Sequence, residues 1–334
     1  MHIPDGFINL ATSAGAGVTA AGGLGAVLHR VRTTLSERQI PLAGLAAAFI
    51  FVVQMLNFPV AAGTSGHLLG GALVAILLGP WVGAIVISVV LLLQALLFAD
   101  GGVSALGLNV VNMALIGVFV AWLVFRLLTA LLPKTGAALV GAAAVASWVS
   151  VVAASGGFVL EYAWGGTGNA PVSTVFAAMV GVHALIGIGE GLITAAVLTA
   201  VLAVRPDLVY GARLLGVRRA VVVRADRRAT ATFVLAGIAA ALLLVVVVAP
   251  HASSSPDGLE RVASDHGFAW TGQTSAAAGS PLAHYSVGGV PDAGVGTILA
   301  GAIGLVLTFA VGALVLHISA RRGASRSTDD AVHR

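Results

Sequence analysis

Nine apolar stretches follow one another along the chain, at residues 7–29, 40–56, 67–79, 81–98, 105–132, 136–158, 172–204, 231–249 and 294–317. About 20 apolar residues carry a helix across the hydrocarbon core of a bilayer, where no water can satisfy an open backbone. A chain built this way has little choice but to fold as an all-α integral membrane protein. Charge agrees: 9% of residues are charged, where a soluble domain carries roughly a quarter. The third stretch, from His67 to Gly79, is short for a full span. Gly79-Pro80 separates it from the fourth, so a partial or re-entrant helix is expected there. The 43 glycines suit helices that approach closely through small residues. Cys is absent, which removes disulfides, thiolate ligands and iron–sulfur clusters from consideration.

The basic residues set a direction. With the N-terminus outside, threading the nine stretches places Arg30, Arg32, Arg38, Arg126 and Lys134 inside. The loop arginines Arg205, Arg213, Arg218, Arg219, Arg224, Arg227 and Arg228 also fall inside, with Arg321, Arg322, Arg326 and Arg334 of the tail. Of 17 basic residues only Arg261 falls outside, whereas Asp5, Asp100, Glu161, Asp257, Glu260, Asp265 and Asp292 lie in outer loops. The isoelectric point near 10.3 therefore reads as cytoplasmic anchoring against membrane lipid, and no nucleic-acid partner is expected. The expected organisation is a seven-helix membrane-embedded unit over 1–204 and an Arg-rich cytoplasmic linker over 205–230. A two-helix unit with a Ser-, Gly-, Pro- and Ala-rich outer loop follows over 231–320, then a cytoplasmic tail over 321–334. The start has no basic segment and its apolar run is long for a signal-peptide core, so the first residues are expected to be kept.

That start reads MHIPDGF, and Met1-His2 is a chelator. The α-amine is one nitrogen donor. The His2 amide nitrogen, once deprotonated, closes a five-membered ring with it, and the His2 Nδ1 closes a six-membered ring. Three fused nitrogens prefer a plane, the geometry favoured by nickel(II) and copper(II), and they leave one corner open. A partner must come from the same membrane face. The second outer loop, NFPVAAGTSGHLLGG from Asn57 to Gly71, carries His67 where the next helix opens. Within the first seven stretches, only His2 and His67 among the nine histidines lie in Gly- and Pro-shaped outer loops near helix ends. An interfacial histidine bonded to loop carbonyls is the plain alternative for His67. Pro4 stiffens the chain behind His2 and brings no competing amide. Asn57, Thr64 and Ser65 either shape the Gly-rich turn or hydrogen-bond His67 and fix its tautomer.

MHIPDGF, the NFPVAAGTSGHLLGG loop and HALIGIGEGLIT, from His183 to Thr194, together resemble the substrate-binding M component of nickel/cobalt energy-coupling-factor transporters over residues 1 to about 204. SSSPDGLERVASDHGF, from Ser253 to Phe268, is similar to the N component that accompanies nickel members, here fused behind the M part. The resemblance implies a square-planar site made by the terminal amine, the amide and imidazole of the second residue, and the loop imidazole. Those groups belong to Met1, His2 and His67. It further implies Ni(II) as transported substrate with Co(II) as the alternative, a transmembrane coupling subunit, two ABC-type ATPase subunits, and a prokaryotic plasma membrane. Ala61-Ala62 depart from the family pattern, where a proline is expected near the glycine.

His183 and Glu190 are seven apart on one helix and share a face. Hydrogen bonding that fixes the bundle, support of the binding loop and a second metal site are the readings for ionisable groups there. Asn109 and Asn112 read as helix-packing polar groups. Asp257 and Glu260 read as a structured turn that positions the two-helix unit, with cation attraction near the entry as the alternative. His251, His266 and His284 are candidates for transient metal capture. Ala43, Gly44, Ala47 and Ala48 form a small-residue face suited to a membrane partner. The chain has no G-x-x-x-x-G-K-[ST] loop, no H-E-x-x-H and no serine elbow. It therefore reads as a transport subunit and not an enzyme, with ATP hydrolysis on other subunits. A secondary transporter would carry more acids along its spans.

Overall fold

The computed structural model describes residues 1–35, 39–61, 63–214 and 227–332. Arg38, Ala62, Arg218, Arg219, Arg224 and Arg334, on which parts of the charge and loop readings rest, lie outside the described residues. Helix α1 (Leu10–Thr34) opens on Asn9, whose side chain accepts from the Thr12 amide at 2.9 Å and so satisfies a donor the helix leaves open. After α2 (Gln39–Met55) the chain makes a small hairpin, β1 (Phe58–Ala61) with β2 (Thr64–Gly66). Short α3 (Gly71–Leu78) is parted from α4 (Pro80–Leu97) by Gly79 at φ 89°. Only glycine takes that conformation readily, and Pro80 has no amide to lose at the first position of a helix. The Gly-Pro pair thus limits α3 to 8 residues.

Next, α5 (Leu106–Asn109) runs through a π-helical turn at Val110–Gly117 into α6 (Val118–Leu131). The long helices α7 (Gly136–Gly165) and α8 (Val172–Val204) pack side by side. The chain continues through α9 (Tyr210–Leu214), α10 (Arg227–Val247), α11 (Gly258–Asp265) and α12 (Ala293–Val332). Among the described residues, seven helical segments are long and apolar enough to cross a bilayer: α1, α4, α5 to α6 taken together, α7, α8, α10 and α12. Helix α2, with 17 residues, is a shorter apolar one. Leu123, Leu127, Leu192, Leu235, Leu243 and Val306 are exposed on these helices. Side chains of that kind belong against lipid, and the chain is a multi-pass membrane protein.

Two placements differ from the sequence reading. Glu161 is not in an outer loop: α7 continues to Gly165 and carries it, buried, in its last turns. The small-residue face of α2 is covered by this chain's own α12. Ala43, Ala47 and Ala48 are fully buried there. A Cβ on Gly44 would sit 3.0 Å from the Phe309 carbonyl oxygen, and one on Gly312 would sit 3.1 Å from the Ala47 Cβ. The small residues serve a close helix crossing inside one chain. Beyond α10, the segment ahead of α12 folds over the face that carries the N-terminus. Its backbone donates from Ser253 to Asn57, from Gln273 to Asp5 and from His284 to Phe98, each at 2.8 Å.

Candidate metal centre

Met1, His2 and Ile3 are tucked into this face, exposed by 3%, 7% and 0%. Asn109 grips the terminus from α5. Its Oδ1 accepts from the Ile3 amide at 2.8 Å and its Nδ2 donates to the Ile3 carbonyl at 3.2 Å, a carbonyl that also accepts from Gly102 at 2.8 Å. Asp5 then accepts from the Ser104 amide at 2.8 Å and hydroxyl at 2.5 Å. Gly6, at φ 91°, turns the chain where a Cβ would lie 2.3 Å from the Thr271 carbonyl oxygen. The Pro4-Asp5-Gly6 turn thereby returns the terminus into the fold.

The terminal amine donates to His67 Nε2 at 2.7 Å and to Asp257 Oδ2 at 2.6 Å. With metal–nitrogen bonds of about 2.0 Å, adjacent corners of a square lie about 2.8 Å apart. The amine and His67 Nε2 already hold that spacing. His67 Nδ1 donates to the Leu68 carbonyl at 3.2 Å, which leaves Nε2 its lone pair. The His2 and His67 rings stack, with centroids 4.9 Å apart and planes 18° from parallel. His2 Nε2 donates to Gln94 Oε1 at 3.1 Å, and its Nδ1 faces Asp100 Oδ1 at 3.2 Å. Gln94 is oriented in turn by Tyr285: its Nε2 donates to the Tyr285 hydroxyl at 3.1 Å, and that hydroxyl donates to Asp100 Oδ2 at 2.5 Å. With Nε2 committed to Gln94, a metal would have to take Nδ1 and displace its contact with Asp100. Among the described residues no three His, Asp or Glu side chains are arranged to hold an ion. The terminus adds main-chain nitrogens to the two imidazoles.

The loop that carries His67 is anchored from inside the membrane. Glu190, fully buried on α8, accepts from the Leu69 amide at 2.7 Å and the Gly70 amide at 3.1 Å, while Ser147 donates to it at 3.3 Å. A carboxylate here caps the N-terminal end of α3, and Gln54 donates to the Leu69 carbonyl at 2.8 Å. Glu190→Ala should destabilise the protein by about 3 kcal/mol, because two buried amides lose a charged acceptor. Thermal melts in detergent check this, and metal affinity should fall with it as the His67 loop loosens. His183 bonds elsewhere: Nδ1 donates to the Met179 carbonyl at 2.8 Å, Nε2 has no hydrogen-bond partner among the described residues, and the ring lies beneath Gly258. His183 and Glu190 share a helix face without a hydrogen bond between them.

The loop polar groups do not fix the His67 tautomer; the Leu68 carbonyl does. The Asn57 carbonyl accepts from Ser253, and Ser65 donates its hydroxyl to the Ser255 carbonyl at 2.7 Å and its amide to the Pro256 carbonyl at 2.9 Å. Thr64, buried, pairs with Ala61 across the hairpin. These residues dock the hairpin on the PDGLE segment. Within that segment Asp257 Oδ1 accepts from the Leu259 and Glu260 amides at 2.8 and 2.9 Å, and Glu260 accepts from the Asp257 amide at 3.0 Å. This reciprocal cap starts α11 and leaves Oδ2 for the terminal amine. Asp257 is therefore both the structured turn read from the sequence and a neighbour of the Met1 amine and His67. Sequence reasoning passed over Gln94, Asp100, Asn109 and Tyr285 as site residues. The signals were a lone Gln in an apolar span and an Asp-Gly-Gly turn directly after it.

Burial, and then the terminal ammonium, hold the His67 imidazole well below its usual range. Burial also lowers His2, against the opposing pull of Asp100. Burial would raise the Asp257 carboxyl, but the terminal ammonium and His67 outweigh it and keep it below the usual carboxylate range. A histidine lowered by folding lends stability that is complete above its unfolded pKa of about 6.5 and is lost as pH falls below it. The metal-free protein should accordingly lose stability from about pH 6.5 downward, at up to about 1.4 kcal/mol per pH unit for each imidazole. Melting temperature against pH measures the slope, and His67→Ala should flatten it. Asp257, also lowered, has the same sign in a lower window: its contribution is present above about pH 4 and is lost only in stronger acid.

A half-open cavity of about 900 Å³ leads to His2, lined by Asp100, Asp257, Glu260 and Tyr285 among others. A family model described as the cobalt uptake substrate-specific transmembrane region, CbiM, matches residues 2–208. The chain belongs to this family. A second model, the PDGLE domain, matches residues 231–321. A putative fused nickel transport protein NikMN of Archaeoglobus fulgidus is 33% identical over 320 residues, covering 93% of this chain and 97% of the relative. A cobalt transport protein CbiM of Geobacter sulfurreducens is 35% identical over 281 residues, 80% of this chain and 79% of that one. The crystal structure of a truncated transition metal transporter superposes with a TM-score of 0.54 at 32% identity, over 61% of this chain and 99% of that one. This CbiM-family member, with its fused PDGLE segment, is a metal-transport component.

Proposed function

We propose that this chain captures Ni(II) as cargo for an ATP-driven importer. The ion would take the Met1 amine, the deprotonated His2 amide, His2 Nδ1 and His67 Nε2 as the corners of a square. The observation that carries this reading is the 2.7 Å approach of the amine to His67 Nε2, the spacing of adjacent corners. Four nitrogens in a plane suit nickel(II), and the fused nickel transport relative of comparable length points the same way. Co(II) is the second reading, favoured by the family description and the cobalt relative. One amidate leaves a complex of nickel(II) with a single positive charge. Asp257 and Asp100, beside the amine and the His2 ring, balance it. Binding releases the ammonium and amide protons, so affinity should rise with pH.

In this reading the capture face lies outside a prokaryotic plasma membrane. Arg30 and Arg32 lie near the end of α1 remote from Met1, and Arg205 and Arg213 follow the corresponding end of α8, which supports that orientation. A transmembrane coupling subunit and two ABC-type ATPases would engage the cytoplasmic face and drive release inside. Labelled-nickel uptake by cells making this chain with and without such partners tests the assignment. Uptake should require ATPases competent for hydrolysis, and equal uptake by the chain alone would refute ATP-driven import in favour of a channel or secondary transporter.

A further inference from the structure

A groove of about 440 Å³ lies between α1, the π-helical turn and α7, apart from the metal centre. Leu160 and Trp164, exposed by 58% and 78%, form its lipid-side wall. Gly15 of α1 keeps the opposite wall open, since nothing lies within 4 Å of where its Cβ would be. Two buried polar groups line this otherwise apolar space: Asn112, fully buried, and Glu161, exposed by 7%. Asn112 Nδ2 donates to Glu161 Oε2 at 2.7 Å, but Asn112 Oδ1 has no hydrogen-bond partner among the described residues. Gly157 makes room for that oxygen, because a Cβ there would lie 2.2 Å from it. Thr12 brings a hydroxyl to the same groove. The set is rich in acceptors and short of donors, which is costly for buried groups.

We propose that this groove binds a membrane lipid through a primary-ammonium headgroup of the phosphoethanolamine class. An ammonium has three N–H donors. They match the Glu161 carboxylate, the unpartnered Asn112 Oδ1 and the Thr12 hydroxyl, while an acyl chain lies along Leu160 and Trp164. Depth agrees. In the 30-residue α7, Glu161 lies about 16 Å from the helix midpoint at 1.5 Å per residue, the edge of a hydrocarbon core about 30 Å thick. A bare metal ion fits poorly, since a hard cation takes six or more oxygens and the side chains of the groove offer five at most: two from Glu161, Asn112 Oδ1 and the hydroxyls of Thr12 and Thr19. A trimethylammonium headgroup has no N–H to give.

The test uses the full-length protein in phosphatidylcholine bilayers, with Trp164 as reporter and Trp164→Phe to assign its signal. Lipids with brominated chains and ethanolamine, choline or glycerol headgroups are added in turn. The ethanolamine lipid should quench Trp164 at about a tenfold lower mole fraction than the choline lipid, as expected for one charge-assisted contact set. Glu161→Gln and Asn112→Leu should each bring that ratio to within about twofold, with nickel binding unchanged. Equal quenching by ethanolamine and choline lipids of the unaltered protein would overturn the proposal without any variant having to fold. So would a preference for the glycerol lipid, a preference surviving both substitutions, or displacement of the lipid by sodium alone. The outcome is independent of the metal reading.

Discussion

Adding one residue ahead of Met1 is expected to lower nickel affinity by at least about a hundredfold, or roughly 2.7 kcal/mol, with the fold intact. The addition turns the α-amine into an amide. The chelate then loses its terminal amine donor, and Asp257 loses the ammonium it holds at 2.6 Å. The chain cannot slide back to offer the new amine instead. Asn109 and Gly102 fix Ile3 on both its backbone groups, and Met1 is buried at 3% exposure. Isothermal titration of native and extended proteins makes the comparison. A mobile terminus that merely rested near His67 would tolerate the extra residue.

His67→Ala should cost at least about a hundredfold in affinity, more than the loss of a group that only supports a ligand. It should cost no more than about 2 kcal/mol in stability, since the ring bonds only its neighbouring carbonyl and the terminal amine, and the amine stays paired with Asp257. The contrast with Glu190→Ala is the diagnostic part. Glu190 bonds the Leu69 and Gly70 amides and Ser147 and none of the proposed donors, so its loss should appear first in the melting temperature and only second in affinity. His67 should behave the other way round.

Much of this is legible in the sequence because it is local. Runs of apolar residues announce the helices, and Gly79-Pro80 announces the break that shortens α3. The chelating power of Met1-His2 follows from covalent connectivity alone, and the open corner asks for a histidine on the same face. What could not be read is what only folding brings together. Asp257 lies 256 residues from the amine it binds, and Gln94 lies 92 from His2. Each looks ordinary in its own segment, one as a helix cap and one as a stray polar residue in a span. The α2 small-residue face was legible as a packing surface, but its occupant was this chain's own α12, which no local pattern names. Glu190 was visible as an isolated membrane acid, while its task, two amides of the His67 loop, depends on where α3 begins.

The central claim is that four nitrogens, two of them from the main chain at the terminus, hold the ion. Titrating the purified protein, with its native N-terminus, with nickel(II) while recording the absorption spectrum tests this most directly. One ion per chain with the ligand-field band of diamagnetic four-coordinate nickel is the expected result, lost together by N-terminal extension and His67→Ala. A weak six-coordinate spectrum, or binding that survives the extension, would contradict it.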